Sequence, residues 1–122
     1  MIAPYLQWIL LVSGILTALA ILIFISPNRF YKSVFNLEQV PTVYLFVARH
    51  WGAMISLVGF MLIYAAFNPA VQELSMIIAS VEKIVFAGMV MFGPLRNSRV
   101  FVRLATFDII IVVIFALYFA GV

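Results

Sequence analysis

The sequence predicts an all-α integral membrane protein built as a four-helix bundle. Hydrophobic residues make up 67% of the 122 residues and the mean hydropathy is +1.26, well above the apolar content of about 45–50% that soluble domains have. Four apolar segments, at residues 3–25, 42–66, 74–93 and 104–121, each approach the length of about 20 residues that crosses a bilayer. No linker or repeat separates them, so residues 1–122 are expected to form a single transmembrane domain.

The start of the chain is expected to be the first of these helices. No basic region precedes it, and the apolar run is too long for the hydrophobic part of a cleaved signal peptide. We therefore expect four spans and short connections.

The first connection predicts a short helix at residues 27–37 that lies in the membrane surface. Ser26 can cap a helix that begins at Pro27, because the fixed φ of proline suits a first turn. Apolar residues then recur at helical spacing while basic and polar residues lie elsewhere around the axis, which is typical of an interfacial helix. An irregular loop is the alternative. The apolar residues are Phe30, Tyr31, Val34, Phe35 and Leu37.

Positive charges predict the orientation of the chain. The Lys and Arg residues outside the apolar segments all lie in the first and third connections, which share one face of the membrane. By the positive-inside rule this face is cytoplasmic and both termini lie outside, as we expect for a bacterial inner-membrane protein. This distribution accounts for the net charge of +3, so we expect membrane lipids, and no nucleic acid, as partners. The residues are Arg29, Lys32, Arg96, Arg99 and Arg103.

The residue types exclude several kinds of site. The chain has no cysteine, so disulfides, thiolate metal sites and thiol redox chemistry are excluded. His50 is the single histidine, and metal or haem sites need further ligands. We therefore expect no metal, and no cofactor other than a possible bound quinone or lipid.

Charged residues inside the apolar segments define the candidate site. Arg49 and His50 lie in the second segment, Glu82 and Lys83 in the third, and Asp108 in the fourth. Helical rise places Arg49 about 10 Å, Asp108 about 6 Å and Glu82 about 16 Å from the cytoplasmic ends of their segments. An unpaired charge at a helix centre costs about 2.5–3.5 kcal/mol, and such residues face the bundle interior. We therefore expect one charge cluster in the cytoplasmic half of the bundle.

Arg49 is expected to provide the main positive charge of this cluster. Its forked guanidinium can pair with Asp108, with Glu82, or with both. Lys83 lies about 100° around the helix from Glu82 and is expected to reach a different helix, a cavity or a ligand. His50 is expected to form a hydrogen bond within the cluster. The alternative is a structural role, in which the charges only fix the register of the helices.

Small residues predict where the helices approach closely. Gly52, Ser56 and Gly59 follow Arg49 at steps of three and four, which forms a packing seam along one face of the second segment. The first segment carries a similar stripe within residues 13–18. Because Arg49 begins the seam, we expect its side chain to point into the bundle.

Two short motifs and the helix layout resemble the DoxX-like group of small bacterial membrane proteins. The motifs are Arg-His-Trp-Gly at residues 49–52 and Glu-Lys at residues 82–83, and the resemblance in length and layout covers most of the chain. It implies a four-helix membrane fold and, as for some members, a link to quinone-coupled oxidation. Because this chain has no cysteine, the resemblance does not imply thiol-dependent variants of that chemistry.

Four functions from different classes fit these features. The first is a site for an amphipathic, lipid-soluble ligand such as a quinone, an isoprenoid or a lipid. In it, Arg49 and Lys83 bind the polar head, and Glu82 or Asp108 balances charge or moves a proton. The second is a non-catalytic accessory or assembly subunit of a larger membrane complex, and the third is transport or proton conduction through a homo-oligomer. The fourth is an enzyme in which His50 and a carboxylate act as an acid–base pair, and the sequence leaves enzymatic activity open.

Overall fold

The structure is a computed structural model and describes residues 2–121. Helices make up most of this part of the chain. This part of the chain contains no strand, so the prediction of an all-α protein is confirmed. Short 3-10 turns lie at Ala3–Tyr5 and Pro69–Val71. The α-helices are α1 (Leu6–Ala18), α2 (Ile21–Ile25), α3 (Pro27–Phe35), α4 (Thr42–Ala66), α5 (Gln72–Met91) and α6 (Arg99–Phe119).

Four helical segments are long and apolar enough to cross a membrane: Leu6–Ile25, Thr42–Ala66, Pro69–Met91 and Arg99–Phe119. The second has the bounds that the sequence predicts. The fourth begins at Arg99 rather than at residue 104, because the Ser98 hydroxyl accepts a hydrogen bond from the amide of Phe101 and caps the helix there. This earlier start places Asp108 deeper than the sequence indicates.

The first apolar segment is not one continuous helix. It divides into α1 and α2 at Leu19 and Ala20, where backbone hydrogen bonds change to three-residue spacing. The amide of Leu22 donates to the carbonyl of Leu19, and that of Ile23 to the carbonyl of Ala20, each at 3.0 Å. Such 3-10 geometry inside a long helix is often found at hinges or strained sites. The break follows closely after Thr17, which belongs to the site described below.

Helix α3 packs across one end of the long helices. This end, which we call the basic end, carries the first and third connections with their Arg and Lys residues. The helix ends at Asn36, whose φ of 56° is left-handed. The Tyr31 hydroxyl donates a hydrogen bond of 3.0 Å to the backbone carbonyl of Tyr44 in α4. Burial, with a smaller contribution from Tyr44, raises the pKa of the Tyr31 phenol above its usual value of 10.0, so the hydroxyl stays a donor at neutral pH.

The buried side chains form two clusters. The first joins α1, α4, α5 and α6 in the half of the protein away from α3, and Leu10, Leu62, Met76 and Phe115 are its fully buried large members. The second, at the basic end, is built on Phe101 and small residues of α5 and α6, and α3 packs against it. The candidate site lies between these two clusters.

Candidate ligand-binding site

A buried ion pair joins α5 to α6 at the centre of the protein. The Nζ atom of Lys83 lies 3.0 Å from Oδ1 of Asp108, and it also donates a hydrogen bond of 3.1 Å to the Thr17 hydroxyl of α1. The Lys83 side chain is only 2% exposed, while that of Asp108 is 12% exposed. Three helices therefore meet at one ammonium group.

This triad of Lys83, Asp108 and Thr17 lies near the middle of the long helices. Helical rise places each of the three residues about 12–14 Å from the basic end of its membrane span, close to the centre of a hydrocarbon core about 30 Å thick. A buried ion pair is retained when further hydrogen bonds satisfy its remaining donors and acceptors. Thr17 supplies one such bond.

A cavity of about 460 Å³, which we call the lateral cavity, lies beside the triad. Lys83, Asp108 and Thr17 form its polar wall, and nearly all its other lining residues are apolar. Leu16 of α1 and Leu104 of α6 line it and are exposed on the outer surface, so the cavity opens sideways between the first span and α6. Its other lining residues are Leu19, Ala20, Ile23, Phe30, Val34, Trp51, Ile55, Glu82, Phe86, Val100 and Phe107.

A second cavity of about 710 Å³, which we call the aromatic cavity, lies between α3, α4 and α5. Val47 of α4 and Val85 of α5 line it and are exposed on the outside, so this cavity opens on a different side from the lateral cavity. Its other lining residues are Phe30, Tyr31, Phe35, Ala48, Trp51, Ile55, Glu82, Phe86, Met89, Val90, Pro94, Leu95 and Phe101.

Glu82 lies between the two cavities and lines both. Its Oε2 atom is buried and makes no hydrogen bond within the described residues. The aromatic rings of Trp51 and Phe86 also face both cavities and stack against each other, with ring centroids 6.0 Å apart and an angle of 22° between the planes. The Glu82 side chain and this pair of stacked rings therefore lie between the two cavities.

Arg49 does not belong to the buried cluster, and the expected pairing with Asp108 or Glu82 is wrong. Its side chain is exposed on the outer face of α4, where it forms no ion pair within residues 2–121. The seam does not fix the direction of Arg49, because an advance of about 100° per residue places Arg49 about 60° from Gly52 but only about 20° from the buried Ser56. Ala48 is buried in its place. Lys83 supplies the positive charge that the sequence assigned to Arg49.

His50 is likewise exposed on the outside of α4. It forms no hydrogen bond with another side chain in the part of the chain that the structure describes. The expected hydrogen bond within the cluster is therefore absent there, and the structure does not bring His50 together with Glu82 or Asp108 as an acid–base pair.

Gly52, Ser56 and Gly59 are all buried, and the two glycines face the first span. A Cβ atom on Gly52 would lie 2.8 Å from the amide nitrogen of Phe24, and one on Gly59 would collide with the backbone of Ala18. The Ser56 hydroxyl donates a 2.8 Å hydrogen bond to the Ala53 carbonyl of its own helix. This close contact holds α1 and α2 against α4 and so fixes one wall of the lateral cavity.

Thr17 is the site residue that the sequence did not identify. It lies in the small-residue stripe of the first segment, and this position indicates a role in helix packing. A polar side chain at the same depth as a charged residue on another helix is the signal that points to its hydrogen bond with Lys83.

Comparison with protein-family models, curated proteins and solved structures finds no match to this chain. The resemblance to the DoxX-like group therefore stays a prediction.

Proposed function

We propose that this protein binds an amphipathic, lipid-soluble ligand of the quinone, isoprenoid or lipid type in the lateral cavity. The polar end of the ligand accepts a hydrogen bond from Lys83, and its apolar part lies among the aliphatic and aromatic side chains that line the cavity. The observation that carries this proposal is a buried, incompletely satisfied ammonium group in the wall of an apolar cavity of about 460 Å³.

The donors of Lys83 support a polar contact with the ligand. A lysine ammonium has three hydrogen-bond donors, and within residues 2–121 Asp108 and Thr17 accept two of them. The ring of Phe107, 5.7 Å from Nζ, offers only a cation–π contact. A carbonyl or hydroxyl oxygen is the group that fits the third donor.

The opening of the lateral cavity supports a ligand that arrives from lipid. Its mouth lies between two helices that are long and apolar enough to cross a membrane, and exposed leucines such as Leu16 and Leu104 border it. Ligand pockets are commonly concave, mostly apolar and furnished with a few polar groups, as this one is. A water-soluble substrate would have to cross lipid to reach it.

The proposal places the four spans as a bundle in the bacterial inner membrane, with the basic end and α3 at the cytoplasmic surface. Both termini then lie outside. This orientation follows the positive-inside rule and sets the polar triad near the bilayer centre, where an unpaired charge is most costly. A purely structural role for the Lys83–Asp108 pair predicts the same burial but no ligand.

Native mass spectrometry of the protein released from its own membranes in mild detergent tests the proposal. Leu16 lines the lateral cavity and is 45% exposed, whereas Val12, one turn earlier, is 53% exposed and does not line it. The Leu16→Trp variant fills the mouth of the cavity and is expected to lose a co-purifying amphipath that the parent retains. Val12→Trp adds the same indole elsewhere and is expected to retain it.

Two results would contradict a ligand in the lateral cavity. One is that the parent protein, released from native membranes, carries no amphipath in any mild detergent in which it stays folded. The other is equal retention by Leu16→Trp and the parent, which would place the bound molecule elsewhere on the protein.

An accessory subunit of a larger membrane complex is the second candidate function, and one observation favours it. Arg49 and His50 are exposed on the outer face of α4 inside an apolar span. Arginine is always charged in proteins, and helical rise places it about 10 Å from the basic end of α4. A partner helix with an acidic side chain at this depth would neutralise it.

Purification through a tag in mild detergent separates the two functions. A stoichiometric partner that is retained by the parent and lost from Arg49→Leu supports an accessory subunit. A monomer or homo-oligomer of this chain alone, with an unchanged state in Arg49→Leu, counts against it.

A further inference from the structure

We infer that the aromatic cavity is a second site, which binds a lipophilic organic cation with its positive charge beside Glu82. This goes beyond the proposed function, because the cavity, its opening and the charge of its ligand all differ from those of the lateral cavity. The three observations that carry it are the charge of the lining, the unpartnered oxygen of Glu82, and the rings that surround it.

The lining of the aromatic cavity has a single acidic group and no basic one. Of its described lining residues, only Glu82 and Tyr31 carry ionisable groups, and the Tyr31 hydroxyl is already bonded to the carbonyl of Tyr44. The nearest buried cation, Lys83, is paired with Asp108. The electrostatic character of this cavity is therefore that of a lone carboxyl group.

The carboxyl group of Glu82 lacks a partner. Its buried Oε2 atom makes no hydrogen bond, and Glu82 forms no ion pair within residues 2–121. Leaving a buried acceptor unsatisfied destabilises the protein, and the cost is larger if the group is charged. A ligand cation beside this oxygen removes that penalty, whereas an anion increases it.

The aromatic rings supply the remaining contacts that a lipophilic cation needs. Trp51 and Phe86 stack beside Glu82, and Phe101 lies 6.4 Å from Trp51 and 6.2 Å from Phe86 between ring centroids. The faces of aromatic rings attract a cation, and the attraction is stronger when the cation is desolvated. An aromatic wall around a carboxyl group selects for positive charge and for apolar substituents together.

The two probes for the test are tetraphenylphosphonium and tetraphenylborate, which have nearly the same shape and opposite charge. Equilibrium dialysis of the full chain in neutral detergent measures their binding, with empty micelles as the blank. Emission from Trp51 in a Trp8→Phe background reports binding beside the Trp51 ring, because Trp8 and Trp51 are the two tryptophans of the chain. Trp51 lines both cavities, so the variants below assign the signal to one of them. We expect saturable binding of the cation, with a shift in Trp51 emission, and no saturable binding of the anion.

Three variants locate the cation. Val85 lines the aromatic cavity and is 55% exposed, whereas Val81, one turn away on α5, is 57% exposed and does not line it. Glu82→Gln removes the charged contact, and the larger side chain of Val85→Phe occupies part of the cavity, so each is expected to weaken cation binding about tenfold or more. Val81→Phe is expected to bind like the parent.

Leu16→Trp distinguishes this site from that of the proposed function. It blocks the lateral cavity and is expected to leave tetraphenylphosphonium binding unchanged, whether or not a co-purifying amphipath is lost. Equal binding of the borate anion, parent-like binding by Glu82→Gln, or equal loss in Val81→Phe and Val85→Phe would overturn the inference. Loss of cation binding in Leu16→Trp with none in Val85→Phe would also overturn it.

Discussion

Removing one partner of the Lys83–Asp108 pair tests whether it organises the centre of the protein. In Lys83→Met the long side chain stays but the ammonium is lost, so the buried carboxylate of Asp108 has no counter-ion, and Thr17 loses its donor. In Asp108→Asn the shape is kept while Lys83 becomes an uncompensated charge. The double variant Lys83→Met/Asp108→Asn carries neither charge.

The size of the effect follows from the geometry of the pair. At 3.0 Å and an effective dielectric constant of about 20, the Coulomb attraction is about 5–6 kcal/mol. Desolvation of both ions offsets most of it, but removing one partner of a buried pair costs about 3–5 kcal/mol. We expect each single variant to lose that amount and the double variant to be no less stable than either. The coupling free energy is then at least about 3 kcal/mol.

Reversible unfolding in mixed micelles, followed by helical circular dichroism, gives the four free energies of this double-mutant cycle. Solid-state NMR in lipid bilayers gives an independent readout of the contact. Asp108 is the only aspartate, and Lys32→Arg leaves Lys83 as the only lysine, so ¹⁵N-lysine and ¹³C-aspartate label a unique pair. Dipolar dephasing between Nζ and the carboxyl carbon is expected. Additive single-variant costs, or no dephasing in a folded protein, would refute the ion pair.

Three further predictions concern the surroundings of the triad. Gly59→Ala forces a methyl group against the backbone of α1 and is expected to destabilise the protein by about 1–2 kcal/mol after the gain in helix propensity. A Cβ atom on Gly88 has no neighbour within 4 Å, so Gly88→Ala should stabilise the protein by up to about 1 kcal/mol. Equal unfolding free energies for Gly59→Ala and Gly88→Ala would be inconsistent with the close α1–α4 contact. Thr17→Val removes the hydroxyl that accepts from Lys83 and is expected to cost about 1.5–3 kcal/mol. Thr17→Ser should cost clearly less in the same unfolding measurement, and the reverse order would argue against the hydrogen bond. Arg49→Leu is expected to leave the free energy of unfolding unchanged within about 0.5 kcal/mol. A loss of stability comparable to that of Lys83→Met would show that Arg49 belongs to the buried cluster.

The helices were predictable from the sequence because their signals are long and redundant. Some twenty apolar residues identify a span even when one end is misplaced, as the start of α6 at Arg99 shows. The interruption between α1 and α2 lies at Leu19 and Ala20. Because neither residue is a proline or a glycine, the sequence gives no sign of the break.

The partners within the charge cluster were harder to predict than its existence. The identities of Glu82, Lys83 and Asp108 as intramembrane charges follow from hydropathy alone, but their pairing depends on helix rotation. On α4 the exposed Arg49 directly follows the buried Ala48, and residue spacing along one helix does not decide which of the two faces the interior. On α5 the inside position is that of Lys83. The two cavities depend on how all six helices pack together, which residue spacing along one helix does not determine.

A crystal structure of the parent protein grown from a lipidic mesophase would show whether a lipid-soluble ligand is held at Lys83. We expect elongated density that enters the lateral cavity between the first span and α6, with a polar end within hydrogen-bond distance of Lys83 Nζ. A cavity filled by side chains or by ordered water alone, with Lys83 satisfied by them, would contradict it and leave the ion pair as a structural fastening between α5 and α6.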